Sequence, residues 1–426
     1  MILTKHRFKA FGLILLVLVC IAVSVIWPHW RDDLRAEGYQ TDIFVEPTGS
    51  CGGNTPCFIS IQEGIDTAEI GAIVKVAKGT YYENIIVDVP KEITLQGGWN
   101  AAFTSRAEDP SLTVIDGDGN ANGLSVGGCT AATGDYALSV ERFTFMNSTS
   151  GISMSSCGND MPVTIDIKNN IIADNSATNG GGIYGGSSNN GTMTINLINN
   201  IIAWNSSTEN GGGIYISAET NGAATINLTN NTITKNSADN GGGIYLFSID
   251  GGVTTSVIKN TIIRDNSAAT LGDDIHLAED HSSGTSSTES SSLYSNIGDV
   301  HIADGTYNDL GNNINANPLF VDPASGDFHL TLSSPCIDQG TNEDAPSTDF
   351  EGDVRPFNGD GDAVAIVDIG ADEYVGQIQF ALTVSKSGNG SGTVTSSDGK
   401  VNCGSDCSES YNPGTAVTLT AIPATG

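Results

Sequence analysis

Apolar and polar residues alternate along most of this chain in stretches of about five residues, each stopped by a cluster of Asn, Gly or Ser. One unit recurs almost verbatim. It reads VTIDIKNNIIADNSATNGGGIY ending at Tyr184, MTINLINNIIAWNSSTENGGGIY ending at Tyr215, ATINLTNNTITKNSADNGGGIY ending at Tyr245 and TSVIKNTIIRDNSAATLGDDIHL ending at Leu277. The equivalent isoleucines Ile183, Ile214, Ile244 and Ile275 lie 30 to 31 residues apart.

Each unit holds three short β-branched stretches and none of helical period. A strand of about five residues cannot bury its apolar face alone, so the units must stack and share a core. Three strands and three turns describe a triangular coil, and stacked coils pair into three parallel sheets around a dry interior. The expected fold is all-β: a right-handed parallel β-helix, a three-sheet solenoid of roughly eight coils, with an N-terminal helical cap and a small C-terminal β-domain.

Period-two alternation assigns the faces. Ile165, Ile167, Ile195, Leu197, Ile226 and Leu228 point inward, and Thr164, Thr194, Thr225 and Thr255 outward. In the third strand the isoleucines point inward, which sets Tyr184, Tyr215, Tyr245 and His276 in one outward column. Asn170, Asn200 and Asn231, with Thr261 as fourth member, recur at one turn, and Asn175, Asn205, Asn236 and Asn266 at the next. Amides stacked in register can satisfy one another and the turn backbone, so both columns are expected to be structural ladders.

Outside the exact repeats the pattern is looser. A short amphipathic helix around Ile61 to Ala68 is expected to cover the open first coil, which strands around Val74, Ile85 and Ile93 and a GTY turn from Gly79 would build. After Leu277 comes HSSGTSSTESSS, which reads as a Ser/Thr-rich surface loop, with strands resuming at Leu293 and Val300.

Composition narrows the function. With 17 Lys and Arg against 49 Asp and Glu, the formal net charge is -32, which excludes nucleic acid as a partner because its phosphates would be repelled. Lys5, Arg7 and Lys9 precede an apolar run that ends at Trp27. Such a segment, residues 1–28, is an export element, either an uncleaved membrane anchor or a cleaved signal peptide, and places the rest outside the cell or at its surface. Local disulfides between Cys51 and Cys57, Cys129 and Cys157, and Cys403 and Cys407 agree with export. Cys336 is left over as a small buried hydrophobe.

Four resemblances extend this reading. FISIQEGIDTAEIGAIVKVAKGTYYENIIVDVPKEITLQGGW, from Phe58, resembles the opening of pectin-lyase-like β-helices, and the IxxN and GGGI pairs (Ile172 with Asn175, Ile202 with Asn205, Ile233 with Asn236) are similar to repeats of polymorphic outer-membrane adhesins. NPLFVDPASGDFHLTLSSPCIDQG from Asn317, with DFEGDVRP and DIGADEY, resembles the choice-of-anchor module that closes bacterial surface β-helices. The segment from Leu382 is similar to a bacterial repeat related to internalin B-repeats. These resemblances imply a β-helix over 40–316, a C-terminal cap over 317–376 and a further β-domain, stopping short of its usual length, over 377–426.

Candidate chemistry is sparse. Asp273 and Asp274, at the positions of Gly242 and Gly243 in the preceding coil, invite comparison with the paired carboxylates of glycosidases, with His276 as a neighbouring base. The alternative is a turn whose adjacent side chains diverge. Asn358, Asp360, Asp362 and Asp368 have the look of a Ca²⁺ loop, but Ile369 stands where the bidentate Glu belongs, and a turn rich in Asp and Gly explains them without metal; no other cofactor is expected. Tyr184, Tyr215 and Tyr245 form the preferred binding feature, since aromatic rings beside a side-chain-free stripe of Gly180, Gly211 and Gly241 can stack on pyranose rings or a partner protein. Cross-coil stacking within the sheet is the competing role. Two functions follow: a non-catalytic adhesion or glycan-binding rod at the cell surface, or a polysaccharide lyase or glycoside hydrolase.

Overall fold

The computed structural model describes residues 42–88, 90–128, 136–158, 162–282, 284–376, 380–388, 390–411 and 416–424. Short strands of β-branched residues, each too short to persist alone, pair in parallel with their counterparts one coil away. The result is a parallel β-helix of eight coils. One face is an eleven-stranded sheet, and two further faces are eight-stranded.

Register is set by the buried aliphatic side chains. Ile85, Leu124, Ile152, Ile183, Ile214, Ile244, Ile275 and Val300 pair in succession, one per coil. The first seven are at most 1% exposed. A second interior column runs Tyr81, Ile115, Phe145, Ile172, Ile202, Ile233, Ile263, Ile297. Slipping any strand by one residue would turn its aliphatic side to water, so the core specifies the pairing. The outward threonines of the long sheet follow the same rule, and Thr225 and Thr255 join hydroxyls at 3.0 Å.

The coil is not triangular throughout. Ser176–Asn179, Ser206–Asn210, Ser237–Asn240 and Ser267–Leu271 form a fourth, four-stranded sheet that the repeat pattern did not predict. These strands are polar and half exposed, and side chains tie them across coils: Ser206 Oγ donates to Ser176 Oγ, and Asn210 Nδ2 to Asn179 Oδ1. Two further expectations are corrected. Gly79–Tyr81 is the first strand of an eight-stranded face, because Tyr81 fills the interior. The second half of the Ser/Thr-rich segment is no surface loop: Ser287–Leu293 is a strand whose Thr288, Ser290 and Ser292 are fully buried. Small hydroxyls can face inward there because they satisfy one another, Ser256 Oγ donating to Ser290 Oγ at 2.7 Å and Thr288 Oγ1 to Ser248 Oγ at 2.9 Å.

The N-terminal end is closed by α1, Ile61–Thr67, as its amphipathic pattern predicts. Ser60 caps it, the Glu83 carboxylate accepts from the N–H groups of Ile61 and Gln62, and Ile61 and Ile65 join the core. Segment 317–376 has little regular structure and packs along the flank of the rod, where its described apolar contacts lie, instead of across its end. Phe320, Phe328, Leu330, Cys336 and Ile369 bury against Ile201, Ala203 and Ile262, and Trp204 meets Phe328 at 5.1 Å. Described residues beyond 379 form two small antiparallel sheets. Disulfides join Cys51 to Cys57 and Cys403 to Cys407. Cys157 is also disulfide-bonded, while Cys129 lies outside the described residues, as does the whole of segment 1–28. Among the described residues no helix is long and apolar enough to cross a membrane.

Candidate functional site

The two asparagine columns are ladders, and their chemistry explains the repeat. Asn200 and Asn205 each accept at Oδ1 from the backbone N–H and the amide of the previous coil's asparagine, and donate through Nδ2 to the next coil. All eight members of both columns are buried, with Thr261 receiving Asn231 N–H at the end of the first. Residues just ahead of the first ladder, Asn169, Asn199, Asn230 and Asn260, turn the corner with φ near +50°, a conformation asparagine tolerates. Asn199, Asn230 and Asn260 then point outward and hold the flanking segment through the carbonyls of Thr348, Asp368 and Thr341.

The Asp273–Asp274 pair diverges. Asp274 is turned inward, 5% exposed, and ends the second asparagine ladder by accepting from Asn266 N–H and Nδ2, while its other oxygen takes Asp299 N–H at 2.9 Å. Burial raises its pKa. Gly298 leaves the necessary room, since a Cβ there would fall 1.9 Å from Asp274 Oδ2. Asp273 faces solvent, and its Oδ1 accepts Ala268 N–H at 2.7 Å. His276 is 3% exposed, sandwiched between Tyr245 and His301, and burial lowers its pKa, so it is neutral at pH 7 and screened from any substrate at Asp273. Asp273 and Asp274 both border a 410 Å³ cleft, with Arg264, Asp265, Asp299 and Asn315 among its other walls, and His276 is not part of its lining.

The NGDGD segment folds its acceptors onto itself. Asn358, Asp360 and Asp362 each accept a backbone N–H two or three residues on. Asp368 is 1% exposed, and its two oxygens accept Asp338 N–H and Tyr374 N–H. It belongs to a buried network absent from sequence reasoning, in which Asp338, Asp349, Asp368, Asp372 and Glu373 gather backbone N–H groups around one buried cation, Arg355, paired with Glu373 at 3.2 Å. These carboxylates replace secondary structure in a segment that has almost none. A further trio unforeseen in the sequence, Glu279, His281 and Asp304, lies near the rim of the last coils. His281 Nε2 meets Glu279 at 3.0 Å, and its Nδ1 accepts Ser286 N–H at 3.4 Å.

The tyrosines stack. Ring centroids of Tyr184 and Tyr215 lie 5.4 Å apart and those of Tyr215 and Tyr245 5.6 Å apart, each pair inclined by 14°, and His276 and His301 continue the ladder at 4.8 and 4.9 Å. The faces of Tyr215 and Tyr245 are therefore covered by their neighbours. Nor are the glycines beside them an open stripe. Gly180, Gly211 and Gly241 are buried at a tight corner with φ near +63°, and a Cβ on Gly181 or Gly212 would strike carbonyls of the next coil.

One ring differs. Tyr184 begins the ladder, because its counterpart one coil earlier is Ser153. The fourth sheet begins at the same coil, with Ser176–Asn179 as its edge strand. Together these steps form a 530 Å³ ledge lined by Asn122, Thr149, Ser150, Ser153, Ser176, Ala177, Thr178, Asn179, Tyr184 and Thr208. The Tyr184 ring lies along the sheet over Gly186, whose added Cβ would come 3.2 Å from its hydroxyl. No protein-family model, no curated protein and no solved structure matches the chain, and the parallel β-helix rests on the strand pairing alone.

Proposed function

We propose that this chain is a non-catalytic rod of the cell surface that binds carbohydrate at the ledge headed by Tyr184. The observation that supports the reading most directly is the unshared face of Tyr184, set among hydroxyl and amide groups at the only described step in the aromatic column. Sugars are bound by an aromatic face against their C–H face together with convergent polar groups at their rim. Asp273 and Asp274, by contrast, spend oxygens on backbone N–H groups, and His276 is covered on both faces. Export through segment 1–28, attachment through the choice-of-anchor-like segment 317–376 and kinship with pectin-lyase-like surface proteins belong to the same proposal.

The test is retention of the full chain on a panel of immobilised polysaccharides, compared with Tyr184→Ala and Tyr245→Ala. Retention that falls at least tenfold for Tyr184→Ala and persists for Tyr245→Ala supports the reading. Equal retention of both variants, or none by the native chain, refutes it.

A further inference from the structure

The lining of the ledge says more than that a sugar fits. We infer, resting on the carbohydrate reading above, that the ligand is a neutral pyranose, not a uronate or sulfated sugar. None of the ten residues that line the ledge is charged, in a chain whose formal net charge is -32. The charges that do approach are negative. Glu209 accepts from Asn179 Nδ2 at 3.3 Å, and Glu219 acts on the Tyr184 hydroxyl, where burial first and this carboxylate second raise its pKa. An anionic sugar would meet like charge with no Lys or Arg among the lining residues to pair with it, which costs affinity at low salt.

The polar groups suit hydroxyls instead. Ser153, Thr178 and Thr208 reach the ledge half or fully exposed, each able both to donate and to accept. Thr149 donates to Asn122 Oδ1 at 2.8 Å and Asn122 Nδ2 donates to Ser125 Oγ at 3.1 Å, so one wall is pre-oriented. The volume of 530 Å³ lies within the about 300–1,000 Å³ range of small-ligand sites. Because Tyr215 covers the far side of Tyr184, there is one stacking platform and one ring is held on it.

Calorimetric titration of the full chain separates the possibilities, with neutral oligosaccharides (gluco-, manno- and N-acetylglucosamine oligomers) and acidic ones (oligogalacturonate and alginate oligomers) at low and high salt. The inference expects a neutral series to bind at least tenfold more tightly than any uronate at low salt, with little change at high salt. It also expects Tyr184→Ala to abolish the signal and Thr178→Lys, at an exposed ledge position, to raise uronate affinity severalfold. Uronate binding equal to or tighter than neutral binding, lost in Tyr184→Ala, overturns the neutral assignment and leaves the carbohydrate reading standing. Binding of neither series, or neutral binding that survives Tyr184→Ala, overturns both.

Discussion

Replacing Asn205 with Ala should damage the rod more than any single surface change of similar size. The side chain is fully buried and makes four hydrogen bonds: its Oδ1 accepts Asn175 N–H at 3.2 Å and Asn175 Nδ2 at 2.9 Å, and its Nδ2 donates to Ile172 O at 2.8 Å and Asn236 Oδ1 at 3.0 Å. Asn175 Nδ2 keeps the Phe145 and Ala173 carbonyls, and Asn236 Oδ1 keeps Asn205 N–H, so two groups, Asn175 N–H and Ile172 C=O, lose this amide partner in the interior. Ile172 C=O stays within its strand ladder with Ile201–Ala203, so Asn175 N–H is the group left without a partner, and one such buried group costs about 1–3 kcal/mol, which puts the substitution at about 1–3 kcal/mol. Asn205→Asp should be worse near pH 7, because a carboxylate would face the Ile172 carbonyl and Asn236 Oδ1 where an amide now donates. The control is Asn240→Ala in the half-exposed ladder of the fourth sheet, where Asn240 Nδ2 donates to Asn210 Oδ1 at 3.1 Å and water can substitute, at a cost of about 1 kcal/mol or less. Urea unfolding followed by circular dichroism measures both. A loss below about 1 kcal/mol for Asn205→Ala, or no larger than that of Asn240→Ala, would refute the view that the ladder secures the coils.

Other parts of the structure make sharp predictions. Tyr215→Ser removes two stacked contacts and Tyr184→Ser one, so thermal melting should show a loss of about 1–3 kcal/mol for the first and about half that for the second; equal losses would argue against the ladder. Burial pushes Asp372 up to about 7 and, together with Glu373, raises Asp368. A carboxyl whose folded pKa is raised contributes stability below its unfolded pKa of about 4 and loses it as pH rises through the folded value. The flanking segment should therefore be more resistant to proteolysis at pH 5 than at pH 8.5, and Asp372→Asn should flatten that dependence, as a protease time course would reveal. Trp204→Ala should release the same segment, because Trp204 packs on Phe328 and Gly326; unchanged cleavage of residues 317–376 would count against the flank contact. Incubated with polygalacturonate and Ca²⁺, the full chain should yield no unsaturated products, and products lost in Asp273→Ala would reverse the non-catalytic reading.

How far the chain could be read depended on whether a residue's role repeats. Wherever Ile, Leu or Val recurs every 30 to 31 residues, the sequence alone determined strand, face and register, because hiding those side chains permits a single pairing. The asparagine ladders, α1 and the Cys51–Cys57 and Cys403–Cys407 disulfides were legible for the same local reasons. The fourth sheet was not, since SATN and its equivalents have no apolar alternation and become strands only when identical coils lie beside them. Residues 287–292 look like loop in the sequence because their inward side chains are hydroxylated, and the neighbouring Ser248, Ser256 and Tyr307 make that burial tolerable. Sequence placed Tyr184, Tyr215 and Tyr245 in one column without ranking them. Tertiary structure decided that two of the rings are covered on both faces and one is not, because ring exposure depends on what the adjacent coil carries: Ser153 beside Tyr184, and aromatic rings beside the others.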